Sequence, residues 1–326
     1  MIRLGIAISH NCSASLMING EIVGIIQEER LTKLKNQAGF PLLACKALVA
    51  QHLNNDFNLI DEIVYGSKVF HPYGYCINLS SNDNIQDHIN EMHNVWYPVF
   101  YENKKLDGEI WKNQYFKNKN LNNFHNFNFD FITKDISLDK ATEYFSNIEV
   151  FSPIKKIMPD FVNFKKIDHH KCHAYYALYG GNLNKKLFKN TLVLTADSMG
   201  DKKNWSVSIV NNDGTLNILA SGDEFLVARI YKFCTLILGM KPNEHEYKVM
   251  GLSAYSKSKK HIAAVESILF NILDFNNGKF VNNMPLKDSY FDLKTRLEGH
   301  RFDNVAAGLQ NWTSKVLMKW TDYWLE

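Results

Sequence analysis

Hydrophobic patterning divides the chain into runs of different period. It opens on two strand-like runs, IRLGIAIS at 2–9 and LMINGEIVGIIQ at 16–27, the second broken by Asn19-Gly20, a strong hairpin turn. Between them lies HNCSAS, a small-residue turn that places His10, Asn11 and Ser13 together. Pro41 then starts a helix, PLLACKALVAQHL, with apolar positions at helical spacing, and DEIVY at 61–65 reads as a short strand. From about 70 to 150 the periodicity is poor and Asn, Phe, Tyr and Trp are abundant, which predicts an irregular insertion with short helices around 85–102 and 138–147. Its many aromatics argue against disorder. A helix capped by Asp168 follows, with Ala174, Ala177 and Leu178 as its apolar stripe. TLVLTADSMGD (191–201) reads as a buried strand ending in an acidic turn, and WSVSIV and LNILAS as a hairpin around Asn212-Asp213-Gly214. LVARIYKFCTLILGM is helix-like, and KPNEHEYKVMGLSAYS is a polar segment. A helix near 258–273, an irregular stretch and a closing helix from about 303 to 325 complete the chain. A strand–turn–strand–turn–strand opening therefore occurs twice, as a duplicated two-lobed fold would give and as two separate β-meanders would also give.

Composition adds boundaries. The 326 residues suffice for one large or two ordinary domains, and 45% hydrophobic with 22% charged residues is a globular balance. No apolar run is long enough to span a membrane, and MIRLGIAIS lacks the layout of a signal peptide. The five cysteines form no C-x-x-C pair, so neither a disulfide framework nor a zinc ribbon is indicated, and a cytoplasmic protein is the simplest expectation. A net charge of +3 and a pI near 8.4 are too mild to argue for nucleic acid.

Candidate chemistry concentrates in IDHHKCHAYYALYGG, 167–181. His169 and His173 are four apart, so on a helix they project from one face and can chelate one metal ion, with positions left for carboxylate, water or substrate. His170 should point elsewhere, and Cys172 reads as structural. The charged run QEERLTKLKNQAGFP directly after an apolar strand hints at a further site, and Glu244, His245, Glu246 and Lys248 crowd the polar segment before Gly251. Such spacings are compatible with ordinary packed or surface side chains as well.

Four segments together resemble the O-carbamoyltransferases that decorate nodulation factors, cephamycins and aminoglycosides. LGIAISHNCSASLMINGEIVGIIQEERLTKLKNQAGFP is similar to that family's strand, H-D-x-S/A turn, hairpin and E-E-R-F-t-R-x-K-h…F-P signature. DHHKCHA resembles its D-H-H-x-x-H-A, LTADSMGD its D-G-x-G-D turn, and EHEYKVMGLSAYS its E-y-K-v-M-G-L-A-P-Y-G. The resemblance implies an α/β, actin-like ATPase (ASKHA) fold of two duplicated lobes, related to the tRNA threonylcarbamoyl transferases. The first lobe would span 1–190 with the insertion at about 70–150, and an incomplete second lobe 191–326. It implies transfer of a carbamoyl group from carbamoyl adenylate, made from ATP and carbamoyl phosphate, to a hydroxylated small-molecule acceptor. His169, His173 and Asp197 match the family's metal ligands, the metal being iron, zinc or magnesium. His10 matches the histidine near the transferred group, a base for the acceptor hydroxyl. Asp201, Glu246 and Lys248 fall in the segments expected beside the nucleotide.

The departures are specific. Asn11 stands where the family usually carries Asp, Lys33 replaces an Arg, and Ala254-Tyr255-Ser256 replaces P-Y-G. Family chains also continue through a glycine-rich adenosine turn, a last acidic ligand and a YrdC-like domain that makes the adenylate. The expectation is therefore a fragment, a split-gene product or a chain completed by a separate YrdC-like partner. The other classes kept open are a non-catalytic or partner-dependent actin-like subunit and a sugar-kinase-like phosphotransferase, which does not normally need an H-x-x-x-H pair.

Overall fold

The computed structural model describes residues 1–8, 11–72, 83–106, 127–133, 135–180 and 191–326. They form a mixed α/β structure of two compact units, Met1–Asp83 with Lys104–Cys172, and Asn84–Asn103 with His173–Glu326.

The first unit is built on a five-stranded mixed sheet in the order β3-β2-β1-β4-β5. Strands β1 (Ile2–Ala7), β2 (Ser13–Ile18) and β3 (Glu21–Gln27) make an antiparallel meander. Asn19 and Gly20 both take positive φ, 50° and 90°, as the tight turn between β2 and β3 requires. β4 (Glu62–Tyr65) runs parallel to β1, and β5 (Phe164–Lys166) runs parallel to β4. Period-two alternation turns Leu4, Ile6, Ala14 and Leu16 inward, and all are buried. Helix α2 (Leu42–Leu53) buries Ala44, Cys45, Leu48 and Val49 and packs on β2 and β3. At Gly24 an added Cβ would lie 2.6 Å from Leu48, so this strand position must stay bare.

The charged run after β3 has a structural use. Glu28 begins the short helix α1 (Glu28–Thr32), is only 2% exposed, and accepts from the backbone N–H of Leu43 (2.9 Å) and Ala44 (2.8 Å). It thereby satisfies two of the N–H groups that open α2. Burial pushes its carboxyl pKa up, against the lowering by those two N–H groups.

Short helices follow in the insertion: α3 (Ile85–Glu91), entered through an Asn84/Asp87 capping box, α4 (Tyr97–Tyr101), and α5 (Leu138–Asn147), capped by Ser137. In the first unit Phe127, Phe129 and Phe145 cluster, with Phe127 and Phe145 centroids 5.1 Å apart. This is the burial that the aromatic content predicts. Helix α6 (Ser152–Lys155) leads towards β5, and helix α7 (His169–Tyr179) continues from one unit's residues into the other's.

The second unit holds an antiparallel sheet, β6 (Leu192–Gly200), β7 (Lys203–Val210) and β8 (Leu216–Gly222). Helices α8 (Val227–Ile237), α9 (Glu246–Leu252), α10 (Lys259–Ile272), α11 (Phe291–Leu297) and α12 (Phe302–Leu325) follow. Their core includes Trp205, Val207, Ile230, Val249, Val265, Leu293, Trp312 and Trp320. The Trp312 indole N–H donates to the Leu273 carbonyl at 2.9 Å, so a fully buried polar group is paired.

Three sequence expectations need correction. The polar segment before Gly251 folds as α9 from Glu246, with Val249 as its buried anchor. The stretch before the closing helix contains a β9–β10 hairpin (Asp274–Asn276, Lys279–Val281) and α11. The strand through TLVLTADSMGD does not stop at the acidic residues, but its register with β7 shifts between Ala196 and Gly200, which lifts Asp197–Met199 out of regular pairing.

Candidate metal centre

Helix α7 is positioned by its buried face. Asp168 Oδ1 accepts from Lys171 N at 3.1 Å, fixing the first turn. Ala174 and Leu178 are each 1% exposed and pack with Val193, Val210 and Leu216 of the second unit's sheet, while the Tyr179 hydroxyl donates to the Gly214 carbonyl at 3.0 Å. The stripe runs 170, 174, 178: His170 is 2% exposed, whereas Ala177 faces solvent. The apolar stripe expected to include Ala177 therefore lies one position round, and His170 occupies its first place.

That rotation leaves His169 and His173 on the adjacent, more open side, one turn apart on the same helix. One ligand atom each from His169, His173 and Asp197 lies within 4.8 Å of the other two. His173 Nε2 and Asp197 Oδ2 are 3.6 Å apart, with the side chains 50% and 33% exposed. This separation is too long for a hydrogen bond. Two ligands at about 2.0–2.2 Å from one ion sit at most about 4.4 Å apart, so the pair fits a shared ion and the third atom needs only a small rotation. The other oxygen, Asp197 Oδ1, accepts from Ser198 N at 2.6 Å, which orients the carboxylate. The shift in register that frees Asp197 from the regular ladder is what turns it to this use.

The remaining expected site residues are placed differently. His10 lies outside the described residues. Its neighbour Asn11 has φ 66°, and its Oδ1 is buried without a hydrogen-bond partner among the described residues. Asp201 sits with Lys202 at the tip of the β6–β7 turn, φ 52° and 64°, outside the three-residue group. Glu246 Oε1 accepts from Asn243 N at 2.6 Å at the start of α9. Lys248 Nζ lies 2.9 Å from His245 Nε2 and over the Tyr247 ring. The structure thus brings His169, His173 and Asp197 together, and gives Glu246 and Lys248 partners within their own segment.

Sequence reading missed the basic side chains of α8. Burial pushes the Lys232 ammonium pKa down, Arg229 adds to that shift, and Glu91 and Glu246 oppose it. Burial also lowers Arg229. The signal was present, since 229 and 232 are three apart and share a helix face.

Residues 2–326 match the family model described as carbamoyltransferase N-terminus. An uncharacterized protein of Methanocaldococcus jannaschii is 26% identical over 253 residues, 77% of this chain and 33% of that protein. An uncharacterized protein of Synechocystis is 27% identical over 306 residues, 90% of this chain and 40% of that protein. The chain therefore spans well under half the length of these relatives.

Proposed function

Since the chain belongs to the carbamoyltransferase N-terminal family, we propose that it forms the acceptor-side part of a transferase. That enzyme moves a carbamoyl group from carbamoyl adenylate, made from ATP and carbamoyl phosphate, to a hydroxyl of a sugar or natural-product acceptor. The observation that carries this reading is the convergence of His169, His173 and Asp197. Two imidazoles and one carboxylate suit iron or zinc better than magnesium, which prefers all-oxygen sites. When bound, the ion supplies Lewis-acid polarisation of phosphate or carbamoyl oxygens.

The chain's own groups supply positioning and proton transfer. His10 as a neutral imidazole takes the acceptor hydroxyl proton while that oxygen bonds to the carbamoyl carbon and adenylate leaves. Asp201, Glu246 and Lys248 belong to the nucleotide side. The actin-like architecture, with lobes at 1–190 and 191–326, and a cytoplasmic location are part of the same reading. The relatives extend well beyond the part this chain matches, so the complete transfer reaction belongs to this reading together with a YrdC-like part, in the same polypeptide or as a partner.

The test is metal content. His173→Ala should lose most bound iron or zinc after dialysis while unfolding stays cooperative, because this half-exposed side chain contributes little packing. Equal metal in both proteins would refute the site. Supplied with ATP, carbamoyl phosphate and hydroxylated acceptors, the chain alone should form no product. Adding a YrdC-like chain should produce activity that falls in His10→Ala.

A further inference from the structure

Helix α7 carries more than metal ligands on its open side. Tyr176 follows His169 by seven residues and His173 by three, so the three side chains share one helical face. The neighbouring tyrosines are used in packing. Tyr175 and Tyr179 stack with centroids 6.0 Å apart, and the Tyr179 hydroxyl is the one bonded to Gly214. Tyr176 lies off the buried stripe of His170, Ala174 and Leu178 and is 78% exposed. One edge of its ring lies along Gly180, where an added Cβ would sit 3.1 Å from Cε2 and 3.2 Å from Cδ2. A bare Gly180 therefore lets the ring rest against the chain with a face open to solvent.

The strand side has a counterpart. Met199 stands two residues beyond Asp197, in the part of β6 lifted out of regular pairing, and is also exposed. His173, Tyr176, Asp197 and Met199 all belong to the second unit. Each of these two ligand positions is thus followed, within three residues, by a large apolar side chain that packing leaves in water. A few polar groups beside an aromatic surface are the make-up of a small-molecule site.

We propose that Tyr176 determines acceptor specificity, as the platform on which the acceptor stacks, and that the acceptor carries its reacting hydroxyl directly on a saturated six-membered polyol ring, a pyranose or a cyclitol. This rests on the carbamoyl-transfer reading of the centre. Residues three apart on a helix have Cβ atoms about 5–6 Å apart, so a group lying on Tyr176 is about one ring's width from an ion on His173. A hydroxyl borne on the stacked ring therefore reaches the centre. The adenine of carbamoyl adenylate does not suit the same place, because ribose and phosphate separate it from the carbamoyl group. The openness of the centre favours a polyol over a flat aromatic acceptor. One C–H face of such a ring meets the negative face of the tyrosine, while its remaining hydroxyls keep their water. Tyr176 takes no part in bond making; it orients the hydroxyl and sets which rings fit.

The test reads binding to the zinc-loaded chain by saturation-transfer NMR, with methyl β-D-glucopyranoside, myo-inositol and AMP as separate probes. The pyranoside or the cyclitol should bind, with transfer strongest to its ring C–H protons. Tyr176→Ala should weaken that binding at least roughly tenfold and Tyr176→Phe by less than roughly twofold, because the ring and not its hydroxyl makes the contact. AMP binding should be the same in Tyr176→Ala as in the wild type. Zinc content should be equal in all three proteins, which keeps the two readings apart. A wild-type chain that holds no zinc refutes the centre on which the platform depends. A zinc-loaded chain that binds neither polyol at tens of millimolar, or binds one equally well after Tyr176→Ala, overturns the platform alone. Equal losses in Tyr176→Ala and Tyr176→Phe would replace stacking by a hydroxyl contact and overturn it too. AMP binding that falls in Tyr176→Ala would assign the ring to the base and overturn the acceptor class.

Discussion

Gly308 lies inside α12, where alanine would ordinarily be preferred by about 1 kcal/mol. Its Cα faces α10 so closely that an added Cβ would sit 2.6 Å from both Cβ and Cγ1 of Val265 and 3.2 Å from the Ile262 carbonyl. Carbon atoms in contact normally stay about 3.5–4.0 Å apart. Val265 cannot rotate away, being fully buried and β-branched on a helix. The two helices would have to separate by about 1 Å, which at usual overpacking costs is about 1–3 kcal/mol and exceeds the propensity gain. Gly308→Ala should therefore destabilise by about 1 kcal/mol. Gly251→Ala is the control, because that helical glycine has nothing within 4 Å of its added Cβ and should gain up to about 1 kcal/mol. Urea unfolding followed by tryptophan fluorescence reads the right unit, since the buried Trp205, Trp312 and Trp320 all lie in it. Equal stabilisation by both substitutions would refute the claim that close helix approach selects Gly308.

Glu28→Ala leaves the Leu43 and Ala44 N–H groups without their acceptor, and a fall of about 2–3 kcal/mol is expected in denaturant unfolding. Trp312→Phe strands the buried Leu273 carbonyl and opens a small void, for a loss of about 2–4 kcal/mol by the same measurement. Asp292 tests linkage. Burial raises its carboxyl pKa, but the Arg296 guanidinium and the Lys287 N–H outweigh that and hold it below the usual 3.8. Its contribution is complete above the unfolded value and is lost as pH falls through the folded one. Arg296→Met should cost about 1 kcal/mol at pH 7, discounted for partial exposure, and the loss should shrink when urea midpoints are measured below pH 3.

What could be read from the sequence depended on how many buried positions carried each pattern. Leu4 and Ile6 alternate along β1, Ala14 and Leu16 along β2, and Asn19-Gly20 marks the turn into β3, so several independent signals state the meander. Asn277-Gly278, φ 50° and 78°, is the same turn chemistry, yet β9 and β10 are three residues each and expose too short an alternation to register. Helix α9 buries only Val249, and one anchor defines no period. The i, i+4 spacing of His169 and His173 was legible because a helix fixes it locally. The approach of Asp197 was available only through resemblance, since it depends on a register shift in a strand more than twenty residues on. Glu28 reads from composition as site-like charge, and its role as a cap depends on a helix fifteen residues away.

The crossover into β5 sets an order of assembly. β1, β2, β3 and α2 contact one another within the first 53 residues, so their loops close cheaply. β5 meets β4 only after a detour of about a hundred residues, and closing such a loop costs about 2 kcal/mol more than closing one of ten. Mutations such as Leu16→Ala should therefore slow refolding, whereas those in Phe164 should mainly speed unfolding, with φ-values near zero. Helix α7 begins three residues after β5 ends, so His169 and His173 take their places on a scaffold whose meander is already formed.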